Sequence, residues 1–437
     1  MHSERFYGAG RSSPSLRPLC SSLYVLCVKS PFSSAATHAL NYKPMKLTRR
    51  YLFFVLSCLQ ATLPAFPQTP NQKLLAFVGT YTDKTDSKGI YAFEFDATTG
   101  KLAPKGLAAE TSNPSWLVIH PNRKWAYAAN ESGKQSTISA FSVDAKSAKL
   151  TLLNHLPALG EDPCYLSFDK TGKYLFAANY TSGNVVVFPI LPDGKLGERT
   201  SAVKDAGTLG PNKERQEGPH AHWIEPSIDG RSVYVADLGL DRVIWYSFDA
   251  TKGTLSPGPV RSSFSNKLLD LSAKLAPGTG PRHVVLSRNG VQMYVLGELQ
   301  STVTAIHLLG FDDYVPTTFQ KISALPVGFS GRNDAAEIAL HPSGKFLYTS
   351  NRGNDTIAVF KVQPKDGRLS LAANVATGGK EPRHFTIDPT GRFLLAENQN
   401  SNSIVVFRIH PETGVLTQVS ITEGVPSPVC LEFYPAH

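Results

Sequence analysis

A chain of 437 residues, 41% of them hydrophobic, can bury a large core, and 34 Gly with 31 Pro make it rich in turns. The formal charge of +9 suggests nucleic acid, yet residues 1–70 hold eight basic residues and one acid, leaving 36 basic against 34 acidic residues beyond them. A nearly neutral remainder with no basic stripe excludes a nucleic-acid-binding domain, and five Cys exclude a disulfide scaffold.

Residues 1–44 show no periodicity and are expected to be a disordered or non-native extension, with Met45 as the true start. Residues 45–68 have the layout of a signal peptide. Lys46, Arg49 and Arg50 precede the apolar run 51–59, and Ala61, Pro64 and Ala65 follow it. The run is short for a membrane span. The sequence therefore predicts export to the periplasm or medium of a bacterium, cleavage near Ala65 and no stable membrane insertion afterwards. An uncleaved anchor is the alternative. Cys20, Cys27 and Cys58 lie in or before this segment, so only Cys164 and Cys430 remain in the mature chain.

Residues 71–437 repeat. A Pro-headed apolar strand leads through an Asp/Pro–Gly turn to a second strand with an aromatic residue, ending in a small and then a polar residue. A β-branched third strand follows. The unit recurs at 113–130, 162–179, 218–237, 280–298, 334–351 and 381–398, with third strands at 184–190, 356–362 and 403–409. A period near fifty residues with four short strands per unit predicts an all-β propeller of antiparallel blades. Residues 74–80 match a second strand with no first strand before them, and 427–435 match a first strand with no second after it. The C-terminal strand should therefore complete the N-terminal blade and close the ring. First strands starting at Pro114, Pro163, Pro219, Pro281, Ala335, Pro382 and Pro428 make seven blades.

In such a ring the start of each first strand and the end of each second strand meet at one mouth of the channel. The residue after the strand-one Pro reads Ser115, Cys164, His220, Arg282, Ala336, Arg383 and Val429. The position just past the second strand reads Tyr81, Glu131, Tyr180, Leu238, Glu298, Arg352 and Gln399. His220, Arg282, Glu298, Arg352 and Arg383 thus converge from consecutive blades. Buried charges need partners or a ligand, which makes the cluster a candidate site. Crossovers 199–217, 261–279 and 310–333 lead into the same blades and could cover the mouth. Glu298 could simply neutralise Arg282. His220 and His222 could together hold a metal, but no acidic or Cys complement accompanies them, so none is expected. Cys164 fits a small buried hydrophobe better than a nucleophile.

The motifs GPHAH and GPRH, with Glu298 sixteen residues after Arg282, and SNRGND followed by IAVF resemble the lactonase family of seven-bladed propellers. That family includes bacterial propeller-type 6-phosphogluconolactonases and fungal carboxy-muconate lactonizing enzymes. The resemblance spans residues 74–435. It implies that His220, Glu298, Arg282 and Arg352 are the catalytic and anion-binding set, and that no cofactor is needed. Taken with the register, the expected catalytic residues are His220, Glu298 and Arg282, and Arg282, Arg352 and Arg383 are expected to hold the substrate's anion. The implied reaction is hydrolysis of 6-phospho-glucono-δ-lactone, with His220 or Glu298 activating water; the protein is separately expected to be a monomer. A muconate-type cycloisomerase is one alternative, and a non-catalytic exported propeller binding a partner or polysaccharide is another. Export departs from a cytoplasmic phosphosugar pathway, so the phosphate is the expectation furthest from the residues.

Overall fold

The computed structural model describes residues 73–258, 260–261, 268–308 and 315–435. The expected extension and signal peptide lie outside the described residues. Seven sheets of antiparallel strands follow one another in chain order, and each runs outward from a first strand to a fourth. The first strands touch their neighbours around the ring. Among the described residues no helix is long and apolar enough to cross a membrane.

The ring closes through the chain's two ends. The strand Pro428–Phe433 pairs antiparallel with Lys73–Thr80, from Ala76 opposite Phe433 to Thr80 opposite Pro428. The N-terminal blade then runs outward through Gly89–Asp96 and Lys101–Glu110.

The repeated residues have identifiable tasks. The polar residue ending the second strand is most often Asn, and its amide ties that strand to the chain arriving from the previous blade. Asn130 donates to Ser112 O at 2.5 Å, Asn351 to Ala324 O at 3.0 Å and Asn398 to Thr377 O at 3.3 Å. The second-strand tyrosines reach the next blade: Tyr127 donates to Gly194 O, Tyr294 to Gly367 O and Tyr348 to Gly414 O, all at 2.8–2.9 Å. Those glycines sit at φ +87°, +74° and +73° in tight turns where a Cβ would strike an aromatic or polar side chain of the preceding blade. Between blades the core is apolar, with Phe176, Val187, Trp223 and Val235 packed in one cluster and Tyr348, Val359, Phe385 and Val405 in another.

Two expectations change. The fourth blade starts at Ala221, not Pro219: its first strand is Ala221–Pro226. All three segments read as crossovers also hold outer strands, Ser201–Lys204, Ala273–Lys274 and Thr317–Ser323. Outer strands are only half covered, so their apolar alternation is weak and the sequence signal with it.

Candidate active site

Each first strand carries a β-bulge near its start. The register slips between Pro114 and Trp116, Pro163 and Tyr165, Ala221 and Trp223, Pro281 and Val284, Ala335 and Ile338, Pro382 and His384, and opposite Gly79 and Thr80 in the closing blade. A bulge leaves one or two residues outside the ladder and re-aims them. Those residues are Ser115, Cys164, His222, Arg282 with His283, Ala336 with Glu337, Arg383 and Val429. In the other blades whose first two strands are consecutive, the bulge follows the residue paired with the end of strand two, sixteen positions on, as Pro114 with Asn130 and Pro382 with Asn398. In the fourth blade that pair is Ala221 and Asp237. The inward residue is therefore His222, two positions past His220, and the constant spacing of sixteen was the signal that marks it.

Glu298 is the hub. It is 3% exposed, and three guanidiniums surround it. Arg215 Nη2 lies 2.5 Å from Oε1, Arg282 Nε 3.2 Å from Oε2 and Arg352 Nη2 3.3 Å from Oε2. Burial alone would raise its pKa, but Arg352, Arg282, His222 and Arg215 together hold it far below the carboxylate range. Burial, with Arg352 and Arg383 nearby, in turn lowers Arg282 to about 10. Arg282 also donates to Ala336 O from beside the His283 ring. Arg352 donates to the carbonyls of Asp334 and Ala335 at 3.2 and 3.4 Å.

Sequence reasoning missed Arg215. It sits in the crossover before the fourth blade, within a turn in which Asn212 Oδ1 accepts from its backbone N–H at 3.2 Å. From there it reaches Glu298 and Tyr180 Oη, the latter at 3.3 Å, and lies 3.7 Å from Asp334. Loop residues have no repeat register, so nothing in the pattern aligns Arg215 with the site.

The histidines separate into layers. His220 stacks on Tyr180, with centroids 4.6 Å apart; its Nδ1 lies 3.0 Å from Tyr180 O and its Nε2 3.1 Å from Glu217. Its backbone N–H donates to Asp237, whose carboxyl burial raises in pKa beside Asp205. His222 lies nearer the axis. Its Nδ1 is 3.6 Å from Cys164 Sγ, and among the described residues its Nε2 has no hydrogen-bond partner. Burial, helped by Arg282 and His283, keeps this imidazole neutral. Deeper in the channel His283 meets Glu337 at 3.0 Å and His384 meets Glu397 at 2.7 Å. Burial drives the Cys164 thiol far above its usual range, which removes it as a nucleophile. Among the described residues no group of three His, Cys, Asp or Glu is placed to hold a metal ion.

These groups enclose a cavity of about 290 Å³ lined by Glu131, Asp162, Cys164, Tyr180, Thr181, Arg215, His222, Glu298, Arg352 and Arg383. Arg282 and His220 stand one layer behind that wall. Arg383 is the free cation of the site: among the described residues no carboxylate lies within ion-pair distance of it, and its guanidinium packs 5.4 Å from the Tyr81 ring centre. The structure thus brings together Arg282, Glu298, Arg352 and Arg383 as the register predicts, and puts His222 where His220 was expected.

Residues 75–433 match the family described as Lactonase, 7-bladed beta-propeller. A 6-phosphogluconolactonase of Bacillus subtilis is 36% identical over 366 residues, covering 83% of this chain and 98% of the relative. A 6-phosphogluconolactonase of Formosa agariphila is 33% identical over 316 residues, 71% of this chain and 85% of the relative. Among solved structures, the periplasmic gluconolactonase of Pseudomonas aeruginosa superposes with a TM-score of 0.74 at 30% identity, over 83% of this chain and 99% of that one.

Proposed function

Because the chain belongs to the seven-bladed β-propeller lactonase family, we propose that it is a lactone hydrolase acting on a sugar δ-lactone, 6-phospho-glucono-δ-lactone being the substrate its relatives' names point to. The observation that carries this reading is the free guanidinium of Arg383 beside Arg352 on a cavity wall that also holds a neutral imidazole.

Hydrolysis needs a base for water and positive charge for the carbonyl oxygen as it becomes an oxyanion. His222 supplies the first. Its open Nε2 takes a proton as the water oxygen attacks C1. The substrate's own negative charge offsets the arginines and so raises the proton affinity of the imidazole at that moment. Arg383 and Arg352 supply the second. When the tetrahedral centre collapses, the C1–ring oxygen bond breaks, and the imidazolium returns its proton to the departing oxygen, leaving an aldonic acid that ionises to the aldonate and releases one proton. Glu298 is too weak a base for this step. Its charge instead keeps Arg215, Arg282 and Arg352 together against their mutual repulsion.

The test is a pH-stat assay of purified protein on glucono-δ-lactone, its 6-phosphate and a five-membered muconolactone. Acid release from the sugar lactones, and none from the muconolactone, is the expected pattern. Turnover of the muconolactone alone would replace this reading with that of a cycloisomerase. We further place the activity outside the cytoplasm, on the strength of the charged and apolar run at 46–59. Mass spectrometry of the exported protein should find a mature start within a few residues of Ala65. An intact Met45 on that product would refute cleavage.

A further inference from the structure

A second cavity of about 840 Å³ adjoins the first at the same mouth and shares Glu131 and Asp162 with it. Its lining is of the opposite kind. Asp83, Glu131 and Asp162 stand among the amides of Asn113, Gln135 and Gln399 and several hydroxyls, and no Lys or Arg lines it. The lining is braced. Asn113 accepts from the Thr82 N–H at 2.8 Å and donates to Asp83 at 2.8 Å, and Asp162 accepts from the Gly133 N–H at 2.8 Å and from Thr181 Oγ1 at 2.7 Å. Tyr81 marks the divide, donating to Glu131 at 2.6 Å while its ring faces Arg383.

The mouth is therefore bipolar, with guanidiniums on one side and carboxylates, amides and an aromatic ring on the other. The second side rejects anions and offers many acceptors, as a polyhydroxyl ligand needs. In a δ-lactone of glucose, C1 and C5 both flank the ring oxygen. The carbonyl and any phosphate on C6 therefore share the arginine side, and the hydroxyls of C2, C3 and C4 take the opposite rim of the ring, with C4 para to the carbonyl carbon. We propose that the second cavity is a sugar subsite, and that the substrate class of this enzyme includes 4-O-glycosylated aldonolactones, the lactones of oxidised disaccharides. This rests on the lactone-hydrolase reading above and extends it to the group beyond C4.

The experiment compares cellobiono-1,5-lactone with glucono-1,5-lactone, and calorimetric binding of cellobionate with that of gluconate. It uses the unaltered protein and two variants that fill only the second cavity, Gln135→Trp and Asn400→Trp. The subsite predicts kcat/KM at least tenfold higher for the disaccharide lactone. Either variant should abolish that advantage while changing glucono-lactone hydrolysis less than twofold. Equal kcat/KM for the two lactones, with both variants indifferent, would overturn the subsite and leave the hydrolase reading standing. If no lactone is turned over but cellobionate still binds more tightly than gluconate, and Gln135→Trp removes the difference, the subsite stands and the hydrolase reading falls. No turnover and no preferential binding would dismiss both.

Discussion

Glu298 and His222 carry opposite burdens at one site, and single substitutions separate them. Glu298→Gln leaves Arg282 and Arg352 with no carboxylate at ion-pair distance among the described residues, and Arg215 with only Asp334 at 3.7 Å. It should destabilise the protein by about 3–5 kcal/mol, the usual cost of breaking a buried pair from one side. The pH dependence has a definite sign. Because the folded pKa lies far below the ordinary 4.5, the stabilisation by Glu298 is complete above that value and fades only as pH falls toward the folded one. Thermal melts of the variant and the parent should thus differ by a constant amount between pH 5 and 8 and converge in stronger acid. A gap that shrinks near neutrality would show that the three arginines do not govern this carboxylate. His222→Asn, in contrast, should lower kcat by about 10² or more, because it removes the proton acceptor. His220→Asn should leave kcat within about tenfold and act mainly on the melting temperature, since its ring serves Tyr180 and the Gly218–His220 corner. The reverse order would return the base to His220, the residue that the GPHAH motif first suggests.

Two strands and a bulge set the reach of the site residues that the blades themselves supply, and at this scale the sequence is legible only in part. The Pro, the second-strand aromatic and the terminal Asn recur visibly because each makes the same contact in several blades. The arginines and Glu298 could be placed from the register those residues define. The inward turn of His222 could not be read from the Pro, because the fourth blade has its Pro two residues early and uses Ala221 in its place. Arg215 was hidden for a different reason: a crossover has no partner strand, and its position follows from tertiary contacts alone. That crossover returns to the blade over Gly239, where a Cβ would stand 1.7 Å from Gly218 O and 3.1 Å from Pro219 Cα. Backbone on both sides leaves no room to yield. Gly239→Ala should cost about 1–3 kcal/mol by overpacking. It should also weaken catalysis, since the displaced segment carries Glu217 and His220 and follows Arg215. An alanine variant with unchanged melting and unchanged kcat/KM would mean that the crossover is not held at this corner.

The whole ring depends on one strand from the far end of the chain, a consequence visible in the sequence as a first strand without a second and a second without a first. Val429, Cys430, Leu431 and Phe433 are each at most 7% exposed in that strand. Burying an apolar side chain stabilises by roughly 1.5–3 kcal/mol, so removing residues 427–437 forfeits several such contributions together with the ladder to Lys73–Thr80. The total is comparable with the whole stability of an ordinary domain, about 5–15 kcal/mol. It also exposes Phe77 and Val78 on an open strand edge. The truncated protein should therefore lose its cooperative transition and aggregate, while Leu431→Ala, which keeps the strand, should melt cooperatively after losing about 2–5 kcal/mol. Covalent closure can be tested apart from these contacts. Tyr434 N–H donates to Leu75 O, so the end of the closing strand lies beside the start of its partner. A permutant carrying residues 425–435 ahead of Lys73 through a short Gly turn keeps every pairing but builds the N-terminal blade from one end of the chain. It should fold and retain activity, yet unfold faster in denaturant, because its first and last blades are then joined by packing and by side-chain hydrogen bonds such as those from Ser420 to Gly100 O and Thr422 to Leu102 O, and no longer by the chain itself. Equal unfolding rates for permutant and parent would show that blade packing, not the shared sheet, holds the ring shut.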